Sequence, residues 1–279
     1  MTPRLLHRIL FILLVSCFTL TAQGRAQTDD EAYTKGLNSA IQGDFPAARE
    51  TFKNVLAADD VAFKVLEDAQ AKKIKEETAA SIFKGYKNAL EGNWEEMIRS
   101  FNTAIENEDN YALAYLIRGS FYFDIEAYDN ALADYSKVIE LDPGNLMAYL
   151  ERAPLYIQKE KYDEAISDCT KAIGLNPTIE TPYQNRGAAY YYKGQFDNAI
   201  ADYQKVLEIQ PRLVLVYYSL AIAYDDKGDK ENALKFYKFF IEYAEKALAL
   251  DTDTSEQERD RIKANIEETR ERIKKIETR

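Results

Sequence analysis

The chain has 279 residues, 46% of them hydrophobic and 30% charged, with 36 basic against 47 acidic side chains and a net charge of −11. That composition excludes a disordered chain, and the acidic surplus excludes non-specific binding to nucleic acid or anionic lipid. Glycine and proline are scarce, at 11 and 7, which favours long helices, while 20 tyrosines are an excess that needs a structural cause.

The first predicted element is a targeting segment over 1–26. Arg4 and Arg8 precede an apolar run from Ile9 to Leu20, too short to span a bilayer as a helix. Two processing routes stand open. Small residues in Ala22-Gln23-Gly24 and Gly24-Arg25-Ala26 suit signal-peptide cleavage near Ala26. Alternatively, Leu14-Val15-Ser16-Cys17 resembles a bacterial lipobox, which would end the signal before Cys17 and make Cys17 the lipidated residue and the membrane anchor. Either route predicts export to the periplasm, the outer membrane or the extracellular space. Removing 1–26 takes away Arg4, Arg8 and Arg25 and no acid, leaving 33 basic against 47 acidic groups, a net charge of −14. It also removes His7, the only histidine, and leaves Cys169 as the single thiol. A His/Cys zinc site, imidazole proton transfer and an internal disulfide are thereby excluded, and no metal or cofactor is expected.

The rest of the chain repeats. Segments 112–145, 146–179 and 180–213 align without a gap at 34 residues each. Their columns hold Tyr115, Tyr149 and Tyr183; Arg118, Arg152 and Arg186; then Gly119, Ala153 and Gly187. Further on come Tyr122, Tyr156 and Tyr190; Ala131, Ala165 and Ala199; Asp134, Asp168 and Asp202; Tyr135, Cys169 and Tyr203; and a closing Pro143, Pro177 or Pro211. The register extends to 78–111 (Gly85, Trp94, Phe101, Ala104) and to 214–247 (Tyr217, Ala221, Tyr224, Ala233, Tyr237). It is weaker at 29–62, with Gly36, Phe45, Ala48, Phe52 and Val55.

This pattern resembles the tetratricopeptide repeat (TPR). The resemblance implies an all-α, right-handed superhelical α-solenoid of about six helix-turn-helix units over 27–250. The physical reading agrees. Small residues let two antiparallel helices approach, an aromatic fills the space beside them, and proline stops the second helix. Units that cannot bury an apolar face alone share one continuous core. Eleven tyrosines occupy three such columns, so the tyrosine excess is expected to be packing.

Three irregular pieces interrupt the register. Residues 63–77 form a helical insertion; with no Gly or Pro from Ala47 to Lys84, one or two long helices are expected, broken near Asp59-Asp60. They would space the first unit from the rest or project as an arm. Pro154 falls inside a first helix and is expected to kink it. Residues 251–279 read as a C-terminal capping helix, opened by Ser255 and Glu258 as a capping box and striped by Ile262, Ile266, Ile273 and Ile276. The alternative use of that stripe is a homodimer seam.

In the resembled family, first helices line a concave groove that holds a partner segment. The residues expected there are Leu116, Ser120, Phe123 and Asp124; Leu150, Ile157 and Gln158; Gln184, Tyr191 and Tyr192; and Tyr218, Ile222, Asp225 and Asp226. The surface suits a peptide with apolar anchors and some positive charge. The bland alternative is that the aromatics merely pack on one another. Family members that clamp a C-terminal carboxylate use Lys, Asn and Arg in columns that here hold Ile82, Leu116, Leu150 and Gln184, and Tyr86, Ser120, Pro154 and Ala188. A chaperone-tail receptor is therefore not expected. Lys84, Arg118, Arg152 and Arg186 form either a basic ladder or, given the Asp column, partly exposed ion pairs. No catalytic constellation is visible. A non-enzymatic protein-interaction scaffold is the leading expectation; the alternative is an outer-membrane-anchored assembly or pilus-biogenesis lipoprotein of the same type, and a glycan module stacking on Tyr191 and Tyr192 is a third class.

Overall fold

The structure, a computed structural model, describes residues 27–53, 61–250 and 256–278. The targeting segment with Cys17, the Asp59-Asp60 break, the Asp251–Thr254 interruption and the Ser255 cap lie outside the described residues. Those described form fourteen helices and no strand. They divide into two compact units at Arg152/Ala153, within one helix.

In the N-terminal unit, α1 (Gln27–Ile41) pairs with α2 (Phe45–Phe52), and α3 (Val61–Gln70) follows. Next come the pair α4 (Glu76–Leu90) and α5 (Trp94–Asn107), the pair α6 (Ala112–Asp124) and α7 (Tyr128–Leu141), and the start of α8 (Leu146–Gln158). The C-terminal unit takes the end of α8 and its partner α9 (Tyr162–Leu175). It continues with α10 (Thr181–Tyr192) and α11 (Phe196–Ile209), α12 (Val214–Lys227) and α13 (Lys230–Leu250), and finally α14 (Glu256–Glu277).

The repeat columns explain the pairing. A Cβ placed on Gly36, Gly85, Gly119 or Gly187 would lie 2.4–2.9 Å from the ring of Phe52, Phe101, Tyr135 or Tyr203 on the second helix. No larger residue fits that contact without displacing the ring. Each first tyrosine ties its helix to the preceding turn: the hydroxyls of Tyr149, Tyr183 and Tyr217 donate to the carbonyls of Pro143, Pro177 and Pro211 at 3.1–3.4 Å. The turn within each pair uses one left-handed residue at a fixed register: Gly43, Gly92, Glu126, Glu160, Gly194 and Gly228. Two of the six are glutamates, which adopt that conformation at a cost of about 1 kcal/mol.

The arginine column is a staple. Arg118 donates twice to Asp134, at 2.6 and 2.8 Å, and once to Asn102 at 2.6 Å. Arg186 binds Asp202 in the same fork at 2.8 Å and reaches Thr170 at 3.1 Å. Arg152 reaches Ser136 at 2.9 Å. Each arginine thus bonds to a residue 16 positions behind it, and two are seen to bond 16 ahead as well. The pairs are more buried than the sequence suggests: the side chains of Arg118 and Asp134 are 17% and 5% exposed. Burial pushes the Asp134 carboxyl up against the opposing pull of Arg118. Such a pair is costly to break from one side.

The insertion departs from expectation. It contains no long helix. Helix α2 ends at Phe52, and α3 is a separate ten-residue helix ended by Lys72 in a left-handed conformation. It neither spaces the first unit nor projects. Ala62, Phe63, Val65, Leu66 and Ala69 are buried, and Phe63 meets Phe52 edge-on. Asp68, buried on the same helix, receives the Tyr111 hydroxyl at 3.1 Å and pairs with Lys64 and Lys73. The first unit packs directly on the second, with Phe52 against Phe83 and Lys87 bonded to Asn38.

Helix α8 continues through Pro154 to Gln158. At the C-terminal end, Ile266 and Ile276 are buried and Ile262 and Ile273 half-buried against the core of α12 and α13. The isoleucine stripe is turned onto its own chain rather than out towards a second copy. Arg270 on α14 pairs with Glu245 at 2.6 Å, and Arg259 donates to the Leu248 carbonyl.

Candidate functional site

The glycine column fixes which side of each first helix faces its own partner helix. Counting around the helix from it, the column Ile117, Glu151, Asn185 and Ser219 points about 160° away, and the column Asp124, Gln158, Tyr192 and Asp226 about 140° away. These two columns point farthest from the partner helix and mark the free face, although Ile117 and Asn185 within it are covered by the chain itself. The columns of Leu116 and Phe123 lean only about 40–60° from the glycine and return towards the packed interior.

Exposure follows those angles only in part, because Ile117 and Asn185 in the far column are themselves buried. Leu116, Ile157, Tyr218 and Ile222 are buried, so four residues expected at the groove are core instead. Tyr218 packs on Tyr237 and Phe240, and burial pushes its hydroxyl up to about 12. Ser120, Phe123, Leu150, Gln158, Gln184, Tyr191, Tyr192 and Asp225 are half-buried, and Asp124 and Asp226 exposed. The aromatics engage their neighbours: Phe123 meets Tyr128 edge-on, Tyr192 stacks on Tyr162 at 5.4 Å, and Tyr191 packs against Tyr192 and Phe196. The Tyr191 hydroxyl donates to Asp226. The bland expectation for these rings, mutual packing, describes their ring contacts.

In the N-terminal unit, Asp124 and Glu151 have no hydrogen-bond or ion-pair partner among the described residues. Burial, and then the charge of Asp124, raise the Glu151 carboxyl to about 7. Burial raises Asp124 as well. In the C-terminal unit the corresponding residues are amides. Asn185 is fully buried with neither end of its amide bonded, and the Gln158 Oε1 is likewise buried without a partner. The column of Glu151 and Asn185 was absent from the sequence expectation. Its signal is present in the sequence: it is the position farthest from the glycine, and its residues change from unit to unit while the arginine that follows it repeats in three units.

Cys169 fills the aromatic column of its unit, is buried, and burial pushes its thiol up. Among the described residues no group of three or more His, Cys, Asp or Glu side chains could hold a metal ion, and no helix is long and apolar enough to cross a membrane.

Paired helices of fixed length, glycine-on-aromatic contacts and a 34-residue register define a solenoid repeat protein. The chain is a tetratricopeptide-repeat protein, an all-α solenoid of such repeats. The tetratricopeptide repeat model matches residues 112–145, 148–179 and 214–246, and the TPR repeat model matches 187–228. Among solved structures, a MamA protein is 26% identical with a TM-score of 0.61, over 65% of this chain and 100% of that one. MamA 41-end from Desulfovibrio magneticus RS-1 is 18% identical, with a TM-score of 0.59 over 65% and 99%. YrrB, described as a TPR protein with an unusual peptide-binding site, is 20% identical, with a TM-score of 0.56 over 67% and 93%. The last two share the fold alone. No curated protein matches the chain by sequence.

Proposed function

We propose that the protein is a non-enzymatic interaction scaffold that binds a segment of a partner protein along the free face of its first helices. One observation carries this reading. That face holds polar groups with no hydrogen-bond or ion-pair partner among the described residues: the exposed carboxylate of Asp124, the half-buried Glu151 and the Oε1 of the half-buried Gln158. The peptide-binding site attributed to the similarly folded YrrB supports the reading at the level of fold. Export, through the segment at 1–26, belongs to the same proposal and rests on the sequence.

Photocrosslinking tests it. Benzoylphenylalanine is placed at Met147 or Leu215, on the free-face side of a first helix, and at Lys171 on a second helix. The expected result is a discrete protein adduct from Met147 or Leu215 and none from Lys171. Adducts from Lys171 alone would overturn the face, and absence from every position would overturn the scaffold. Sequencing the N-terminus of the exported protein tests removal of 1–26; recovery of the intact segment in the cytoplasm would sink the location.

A further inference from the structure

The turns inside the helix pairs differ between the two units. In the C-terminal unit each step from one pair to the next is tied by charge: Lys193 pairs with Asp163, and Lys227 with Asp197 at 2.6 Å. In the N-terminal unit the same two places hold Ile125 and Glu95. Ile125 can make no such tie, and Glu95 faces Arg99 on its own helix at 3.9 Å.

The ring that opens the second helix differs too. In the column of Trp94, Tyr128 meets Phe123, Tyr162 stacks on Tyr192, and Phe196 packs on Tyr191. At Trp94 the place of Phe123 and Tyr191 is taken by Ala89, and the place of Tyr192 by Asp124. The indole consequently makes no ring contact among the described residues, and Trp94 is 48% exposed where the other three are half-buried. It does not stand alone. Leu90 is 54% exposed on the same turn and Ile125 39% on the next, so three of the six large apolar side chains left exposed among the described residues gather here. Phe121 brings the turns side by side: it stacks on Phe101 at 5.2 Å and meets Tyr86 at 5.7 Å, one helical turn before Ile125 and Leu90.

The rim of this patch has one sign. Glu91, Glu95, Glu96, Asp124 and Glu126 lie on the two turns, with no basic residue between Lys87 and Arg99 or between Arg118 and Lys137. Those four bounding cations are engaged, with Asn38, Glu96, Asp134 and Glu140. Single exposed apolar residues are ordinary, but a gathered set around a bare tryptophan is the make-up of a binding hot spot. The rim repels an anionic surface and attracts lysine and arginine, whose charged heads can pair with the carboxylates or lie over the indole face.

We propose that Leu90, Trp94 and Ile125 form a docking patch for a protein segment carrying an apolar anchor flanked by lysine or arginine. The patch lies over the turns, apart from Glu151 and Gln158 on the free face, so it stands or falls separately from the reading above.

Trp94 is the only tryptophan of the chain, so its emission reports on the patch directly. The probe is a twelve-residue random peptide library on phage, selected on the purified full chain after depletion on Trp94→Ala with Leu90→Ala. Synthetic copies lacking tryptophan are then titrated. The expected peptides carry an apolar residue between basic ones and shift the Trp94 emission to the blue. Trp94→Ala, followed by peptide anisotropy, should weaken binding about tenfold or more while thermal unfolding stays unchanged. Glu91→Lys with Glu95→Lys, which leaves the apolar residues in place, should weaken it as well. So should raising the ionic strength from about 0.1 to about 1 M, where charges reach roughly 10 and 3 Å. Selected peptides without basic residues, an unshifted emission, or affinity unchanged in Trp94→Ala would overturn the patch. So would a library that yields no peptide, or an emission shift obtained only with soluble oligosaccharides or phosphatidylcholine vesicles. Crosslinks from Met147 or Leu215 that persist in any of those cases would leave the first-helix face standing.

Discussion

The Asp124/Glu151 step in the N-terminal unit and the Gln158/Asn185 step in the C-terminal unit occupy the same two columns and share nearly all their flanking chemistry. Both are bordered by an arginine staple, a tyrosine bonded to a turn carbonyl, and a left-handed turn residue. One step carries two acids and the other two amides. The difference shows that the columns divide the labour: those that touch the partner helix repeat, and those that face away are free to vary. The first set holds the solenoid together; the second is where one unit can acquire a chemistry its neighbour lacks.

The most severe way to probe that division attacks the part the two steps share. Arg118→Leu and Arg186→Leu each strand a buried aspartate, Asp134 or Asp202, and each should cost about 3 kcal/mol in urea unfolding. Similar losses in both halves would confirm a common framework; a loss under 1 kcal/mol in either would break it. Next comes the acidic step itself. Glu151 has its carboxyl raised from the ordinary 4.5 to about 7 in the folded chain. Folding therefore favours the protonated form. The contribution is fully present below about pH 4.5 and is lost as pH rises through 7. Glu151→Gln, neutral at every pH, should stabilise the protein by about 2 kcal/mol at pH 8 and by nothing at pH 4, read from denaturation at both. A gain independent of pH would refute the raised carboxyl.

The amide step should respond differently. Asn185→Leu removes two unbonded buried atoms and should stabilise by about 1 kcal/mol, equally at pH 4 and pH 8. Any pH dependence would erase the contrast with Glu151. The smallest effect tests the turns that flank both steps. Glu126→Gly and Glu160→Gly bring them to the glycine found at the other four turns, and each should gain about 0.5 kcal/mol in thermal unfolding. A loss would mean that these glutamates contribute a contact beyond their backbone conformation.

Much of this was legible in the sequence because packing forces fixed offsets. A glycine under an aromatic, an arginine 16 residues before an aspartate and a proline closing each second helix recur wherever two such helices meet. The insertion was not legible. Its helix ends at Lys72 in a left-handed conformation that no glycine announces, and its docking depends on Asp68 meeting Tyr111, a pairing 43 residues apart that no periodicity encodes. The groove was less legible: Leu116, Ile157, Tyr218 and Ile222, expected there, are buried, and the column of Glu151 and Asn185 is not among the expected residues. The error was angular: turning away from the Tyr/Gly/Tyr stripe is not the same as turning away from the partner helix, and only the glycine column marks the latter.

Cys169 gives the middle of the solenoid a reporter. Its thiol is sealed in the fourth repeat, and burial disfavours the reactive thiolate. A thiol reagent can therefore modify it only while that repeat is transiently open. With Cys17 replaced by serine, the pseudo-first-order rate of labelling by a small disulfide becomes a clock for breathing of a single repeat, and slowing of that clock on adding a bound partner segment would measure how firmly the partner holds that repeat closed.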